Sequence, residues 1–279
     1  MPVDIDAAVI ENRRLSADYN VLALAAPEIA RTARPGQFVM IKTAGGALSA
    51  DPLLRRPFSI FQILRDGSGE PIGISIFNKR VGVGTSLLSR VEAGARLATL
   101  GPLGRPFEAV DPPGEGWMVA GGVGLAPFVT LAEALAERGT PATLFYGARR
   151  AEELYCVDLF HALGVNVVLA TEDGTAGVKG RITVPLEPAL AERPLGSPVK
   201  LYVCGPTPMM RACAELSARH GRACDVSLEQ VMGCGLGGCY SCVVPARGAD
   251  GGTAHHTRTC IEGPVFDAQR IVWEGVSGH

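Results

Sequence analysis

The chain lacks a basic stretch leading into a long apolar run at its start, where it reads MPVDIDAAVIENRRL, so an export signal is not expected. No segment approaches about 18 uninterrupted apolar residues, which argues against a membrane span. It also lacks a basic block, and its formal net charge is only −2 across 279 residues. Nucleic acid and anionic membrane are therefore not expected as partners. Internal repeats and low-complexity segments are absent. Charged residues are sparse, at 19%, while hydrophobic ones reach 47%, enough to bury a core and too much for a disordered chain. Eight cysteines without an export signal point to a reducing, cytoplasmic setting. There, clustered thiols more often bind metal or do redox work than form structural disulfides.

A chain of this length suggests two domains and an accessory module. Residues 1–107 carry short β-like runs broken by Gly and Pro: VLALAA, GQFVMIKT, RRPFSIFQI, PIGISIFN and ARLATL. Such spacing predicts a small antiparallel barrel, with one helix over Gly84–Val91. Residues 108–227 alternate strand and helix. WMVA, ATLFYG, NVVLATED, KLYVCGP and ACDVSLEQ read as strands. PFVTLAEALAERG, AEELYCVDLFHALG and PTPMMRACAELSARHG read as helices. That alternation predicts a parallel, doubly wound sheet. Residues 228–279 are Gly-rich, hold no helix of useful length, and are too few to bury a sizeable core alone. The expected whole is a multidomain α+β and α/β protein.

What could organise the last segment is EQVMGCGLGGCYSC, followed by RTCIEG. Cys234, Cys239, Cys242 and Cys260 follow the C-x4-C-x2-C…C spacing of plant-type [2Fe–2S] centres. Four thiolates around two irons carry excess negative charge, and backbone N–H groups can offset it. Gly233, Gly235, Gly237 and Gly238 let the backbone wrap closely enough to supply them. The alternative is zinc, although zinc ribbons and fingers usually present two separated ligand pairs. A disulfide is a third reading. His255 and His256 lie near Cys260 and read as solvated loop residues. Cys156, Cys213 and Cys224 read as core thiols.

WMVAGGVGLAPF places Gly121, Gly122 and Gly124 between a strand and a helix, where a dinucleotide pyrophosphate would sit. A tight strand–helix turn would look the same. YVCGPTPMM puts Gly205 and Pro206 at the end of another parallel strand. Cys204 there faces the crevice or is a buried core thiol. On the barrel, RRPFSI puts Arg56 and Phe58 on one strand face and Ser59 on the other. Arginine can neutralise a pyrophosphate, an aromatic can stack on a flat ring, and serine can bond ring edges or phosphate. NKRVGVGTSLL adds Gly82, Gly84 and Thr85 at a helix mouth, a second candidate anion site.

The order RPFS, GVGT, GGVGLAPF, CGPTPMM resembles the ferredoxin–NADP⁺ reductase superfamily, and CGLGGCYSC…C narrows the likeness to the iron–sulfur electron-transfer subunits of class B dihydroorotate dehydrogenase. The resemblance spans essentially the whole chain. It implies an FAD-binding barrel, a nicotinamide-binding α/β domain and a C-terminal [2Fe–2S] module. It implies FAD at Arg56, Pro57, Phe58, Ser59, Phe77, Asn78 and Lys79, with Gly84 and Thr85 at the pyrophosphate. It implies the nicotinamide nucleotide at Gly121, Gly122, Gly124, Cys204, Gly205 and Pro206, and the cluster on the four cysteines. One departure is Phe58, where the superfamily often has tyrosine; a phenyl ring stacks but cannot donate a hydrogen bond. The implied partner is an FMN-containing catalytic subunit that oxidises dihydroorotate, in a heterotetramer of two of each. The alternative is an NAD(P)H-linked subunit of a ferredoxin-dependent transhydrogenase or hydrogenase complex. For NAD against NADP, the relevant stretch is YGARRAEEL, where Arg149 and Arg150 could hold a 2′-phosphate and Glu152 and Glu153 lie close by; the family likeness favours NAD.

Overall fold

A computed structural model describes residues 1–43, 52–194, 196–248 and 252–276. Its first sheet closes on itself. Strands β1 (Val3–Arg14), β2 (Tyr19–Ala25), β3 (Phe38–Ile41), β4 (Arg56–Arg65), β5 (Pro71–Lys79) and β6 (Arg96–Leu103) form an antiparallel barrel in the order β1-β2-β5-β4-β3-β6. Period-two alternation explains the closure: Leu22, Leu24, Ile60, Ile74 and Ile76 meet in one buried cluster inside it. Helix α1 (Pro27–Ala30) joins β2 to β3, and α2 (Val83–Leu88) stands where the one barrel helix was expected.

The second sheet has seven strands. Six are β7 (Glu115–Gly121), β8 (Ala142–Ala148), β9 (Asn166–Thr171), β10 (Val178–Lys179), β11 (Val199–Cys204) and β12 (Ala223–Ser227), all parallel. They stand in the order β10-β9-β8-β7-β11-β12. Helices α3 (Phe128–Glu137), α4 (Val157–Ala162), α5 (Thr183–Glu192) and α6 (Thr207–Arg219) connect them. The winding reverses on either side of β7, whose neighbours are β8 and β11. That reversal opens a crevice at the carboxyl ends of β7 and β11, where ligands bind in such sheets.

After β12 come a hairpin of β13 (Val243–Ala246) and β14 (His255–Arg258), a single turn α7 (Thr259–Glu262), and β15 (Val265–Asp267). β15 is the seventh strand of the large sheet and pairs antiparallel with β12, through Val226 opposite Phe266. The last segment is thus stitched into the middle domain. It also leans on the barrel: Met232, Cys242 and Cys260 share a buried cluster with Phe38, Met40, Leu100 and Leu103.

Three features differ from the sequence expectation. The helix expected over AEELYCVDLFHALG is broken into a short turn at Ala151–Glu153 and α4, because Cys156 takes a left-handed φ of 58° between them. β10 and α5 lie where no element was expected; Pro188 inside α5 masks its pattern. The sheet ends not on ACDVS but on β15, three residues long and far along the chain.

Candidate functional site

The barrel and the large sheet meet along an aromatic seam. Tyr19 and Phe77 of the barrel face Tyr155, which follows the Ala151–Glu153 turn, with ring centroids 4.7 Å and 6.3 Å away respectively. Phe61 packs on Phe77 at 5.5 Å. Beside the seam lies a cavity of about 390 Å³ with walls from both domains. Tyr19 and Lys79 line it from the barrel, Gly121, Gly122 and Pro206 from the sheet's switch point. Lys79 Nζ sits 5.4 Å from the Tyr19 ring centroid. The far side carries Arg149, Glu153, Glu172 and Arg181.

The glycines at β7 have different jobs. Gly122 has φ +56° and open space where a Cβ would stand, so its backbone can face a ligand. A Cβ on Gly124 would lie 2.2 Å from the Cys204 carbonyl oxygen, so this glycine serves close packing of one strand end on another. Cys204 is buried, and burial first, then the charge of Glu229, push its thiol well above the usual range, against a Ser227 hydrogen bond. Its side chain packs in the core cluster between the sheet and the barrel. Gly205 and Pro206 form the turn that puts Pro206 on the cavity wall.

All four residues of the RPFS stretch are half-buried. Phe58 packs against the barrel core and stays partly buried. The aromatic rings at the domain seam are Tyr19 and Phe77, with Phe61 behind Phe77. Arg56, on the same strand face as Phe58, reaches the barrel rim, where a Cβ on Gly84 would lie 3.4 Å from its Cγ and 3.0 Å from Thr43 Oγ1. Thr43 Oγ1 is buried and has no hydrogen-bond partner among the described residues, and the same holds for Asn78 Oδ1. Asn78 Nδ2 donates to Asn20 Oδ1 (2.7 Å) and the Thr85 carbonyl (3.0 Å). Thr85 Oγ1 accepts from the Val81 and Gly82 amides, at 2.9 and 3.0 Å, and so holds the GVGT loop. An arginine, an orphaned hydroxyl and a rigid glycine loop at one rim suit the phosphates of a dinucleotide such as FAD. Pro57 and Ser59 flank this rim on β4. Sequence reading passed over Thr43 and Tyr19, because their context, MIKT and ADYN, carries no motif; only the fold brings them to the rim and the cavity.

The four thiols grade from inside to outside. Cys242 and Cys260 are buried against the barrel, Cys234 is half-buried, and Cys239 is exposed. Cys239 neighbours Cys234, and Cys260 feels both Cys242 and Cys234. Cys260 is pushed up to about 12 by burial and by the neighbouring Cys242. Cys239 is brought down to about 6, chiefly by Ser241 and then by Cys234. Gly235 and Gly237 have φ of +71° and +79°, and the Leu236 amide between them donates to Cys234 Sγ at 3.3 Å. Among the described residues, no three metal-ligating side chains gather as they would around a single ion. All four thiols are free, and four thiolates are what a two-iron centre needs, two for each iron. The Thr259 hydroxyl beside Cys260 is buried without a partner among the described residues. His255 and His256 are exposed on the hairpin. Cys213 and Cys224 are buried thiols that burial pushes up, the latter to about 12. Cys156 is half-buried at the helix break, and it too is raised by burial.

A closed antiparallel barrel, a doubly wound sheet with a nucleotide-type switch point, and a four-thiol module define a reductase of the flavin and nicotinamide class with an iron–sulfur appendage. Residues 118–215 match the oxidoreductase NAD-binding domain family, and residues 229–272 match the iron-sulfur cluster binding domain of dihydroorotate dehydrogenase B. The chain belongs to the family of electron transfer subunits of dihydroorotate dehydrogenase B (NAD(+)). It is 37% identical over 272 residues to the subunit from Desulforamulus reducens, covering 96% of this chain and 98% of that one. It is 38% identical to the subunit from Geobacillus thermodenitrificans, covering 95% and 96%. The solved NADH-dependent reduced ferredoxin-NADP oxidoreductase, studied for flavin-based electron bifurcation, is also similar. The two share 29% identity with a TM-score of 0.81, over 97% of this chain and 91% of that one. A Neisseria gonorrhoeae ferredoxin NADP⁺ reductase shares the fold over 78% of this chain, with a TM-score of 0.65. No helix among the described residues is long and apolar enough to cross a membrane.

Proposed function

We propose that this chain carries electrons from a dihydroorotate-oxidising partner to NAD⁺. The partner is an FMN-containing catalytic subunit, paired with this chain two to two, in the cytoplasm. The observation that carries the reading is that one barrel supports every site. β3 and β6 bury the inner thiols, the Arg56–Thr43 rim suits phosphates, and Lys79 and Tyr19 line the nucleotide cavity.

Flavin accepts electrons singly and passes them on as a hydride, so it converts between an iron–sulfur cluster and a nicotinamide. The residues supply position and dryness. Cys234, Cys239, Cys242 and Cys260 would hold the cluster, with Cys239 outermost, towards the partner, and Cys242 and Cys260 against the barrel. Arg56, Thr43, Asn78 and the Thr85-held loop would hold the FAD phosphates. The seam of Tyr19, Phe77 and Tyr155 would help keep water from a bound flavin on the domain side. Gly121, Gly122 and Pro206 would hold the nicotinamide nucleotide at the switch point.

NAD is favoured over NADP because Arg149 and Arg150 are already paired with a carboxylate. Arg149 Nη2 lies 3.0 Å from Glu153 Oε1, Arg150 Nε 3.6 Å from the same oxygen, and Glu172 also lines the cavity. A 2′-phosphate would have to break these pairs. No dihydroorotate site is expected on this chain.

The deciding experiment is anaerobic. The chain is isolated with its native partner and assayed for dihydroorotate-dependent reduction of NAD⁺, with NADP⁺ in parallel. Turnover with NAD⁺ is expected; the chain alone should show only NADH-dependent dye reduction. Dye reduction without any response of the complex to dihydroorotate would overturn the assignment.

A further inference from the structure

Ser241 lies between the last two cysteines of the loop, at a position the ligand spacing leaves unspecified. Its hydroxyl is nonetheless fixed. The Gly233 amide donates to Ser241 Oγ at 2.9 Å, which occupies one lone pair and orients the group. Ser241 Oγ lies 3.2 Å from Cys239 Sγ and 3.4 Å from the Val231 carbonyl oxygen. For an oxygen–oxygen pair, 3.4 Å is long; for an oxygen–sulfur pair, 3.2 Å is short. The single hydroxyl proton therefore belongs to the sulfur. A ligating thiolate has no proton to give, so between these two atoms only the serine can donate. Gly233 has no side chain to intervene: a Cβ there would lie 3.2 Å from Cys239 Sγ and 3.4 Å from Ser241 Oγ.

We propose that Ser241 is a positioning residue that raises the reduction potential of the cluster by donating a hydrogen bond to the Cys239 thiolate. The inference rests on the reading that these cysteines hold a [2Fe–2S] cluster. One electron added there brings one unit of negative charge, shared over the sulfur ligands. No bond forms or breaks, and the serine keeps its proton. A donor aimed at sulfur stabilises the more negative, reduced form more than the oxidised form. Cys239 is also the exposed ligand, where water competes, so a donor held by the Gly233 amide keeps its bond through each redox cycle. The Leu236 amide on Cys234 Sγ and the Ser241 and Cys234 amides on Cys239 are backbone donors and survive any side-chain change.

The test is a potentiometric titration of the intact complex, followed by visible absorbance and electron paramagnetic resonance. Ser241→Ala should retain the [2Fe–2S] spectrum and make the cluster roughly tenfold harder to reduce. For a one-electron couple that is a fall of about 59 mV. Ser241→Thr should restore the wild-type midpoint, whereas Ser241→Val, of the same shape without the hydroxyl, should match Ala. An unchanged midpoint in Ala and Val variants that hold the cluster overturns the proposal. So does a Thr midpoint that follows Val. If neither Ala nor Val holds a cluster while Thr does, the hydroxyl serves assembly and the proposal also fails. A wild-type complex with no [2Fe–2S] signal would instead refute the cluster reading beneath it.

Discussion

Glu133 and Glu153 are both carboxylates at half-buried sites, yet they are held in opposite ways. Glu133, on α3, has no ion-pair partner among the described residues, and burial raises its carboxyl above the ordinary 4.5, with Arg65 opposing. The folded state thus binds its proton more tightly than the unfolded chain does. The resulting stabilisation is full below about pH 4.5 and is lost as pH rises through the folded value. Glu133→Gln removes this dependence, so thermal unfolding should show the variant gaining on wild type between pH 4 and neutrality. A constant gap would sink the account. Glu153 is instead paired with Arg149 and Arg150. Glu153→Gln frees the Arg149 guanidinium at the cavity and that of its neighbour Arg150, and the ratio of kcat/KM for NADPH to that for NADH should rise several-fold. An unaltered ratio would place the 2′ end of the nucleotide elsewhere.

At the scale of elements, two loops border the candidate nucleotide sites. Gly124→Ala would drive a Cβ into the Cys204 carbonyl, with no flexible side chain to yield. A loss above about 4 kcal/mol is expected, read as failure to accumulate folded protein. Thr85→Ala removes the acceptor for two loop amides, each worth about 1 kcal/mol, and should release FAD on gel filtration while the barrel stays folded. These elements were legible in the sequence because their signals are local: alternating Ile and Leu for the barrel, and Gly after an apolar run for the switch point. β10, α5 and β15 were not. A two-residue strand has no period, Pro188 interrupts a helical pattern, and VFD becomes a strand only because β12 offers it an edge. Spacing singled out the four cysteines as candidates, but it could not rank them by exposure or point to Ser241, Thr43 or Tyr19. Those depend on contacts between residues far apart in the chain.

At the scale of the whole molecule, the barrel and the sheet are joined by more than a linker. The Tyr19–Tyr155 rings span the seam on one side. On another, the Phe107 ring packs on Phe128 at 5.8 Å and on Tyr202 at 5.4 Å. The thiol module touches both partners, packing on β3 and β6 and contributing β15 to the sheet. Removing residues 228–279 should therefore do more than abolish the cluster. It strips the cover from Phe38 and Met40 and leaves β12 as a bare edge. The truncated chain should aggregate on size-exclusion chromatography, whereas the four cysteines changed together to serine should leave a monodisperse complex.

The placement of β15 bears on how such proteins can be recombined. A redox appendage hung on a tether can be traded between hosts by cutting the tether. Here the chain leaves the sheet at Ser227, forms the thiol loop and hairpin, and returns to lie against the strand it left. A graft that ends before Val265 would abandon its own anchor, and one that extends past Asp267 must find an acceptor strand shaped like β12. The unit of exchange is the loop together with its docking strand, and an engineer who wants a differently tuned electron relay would do better to change side chains within this loop than to replace it.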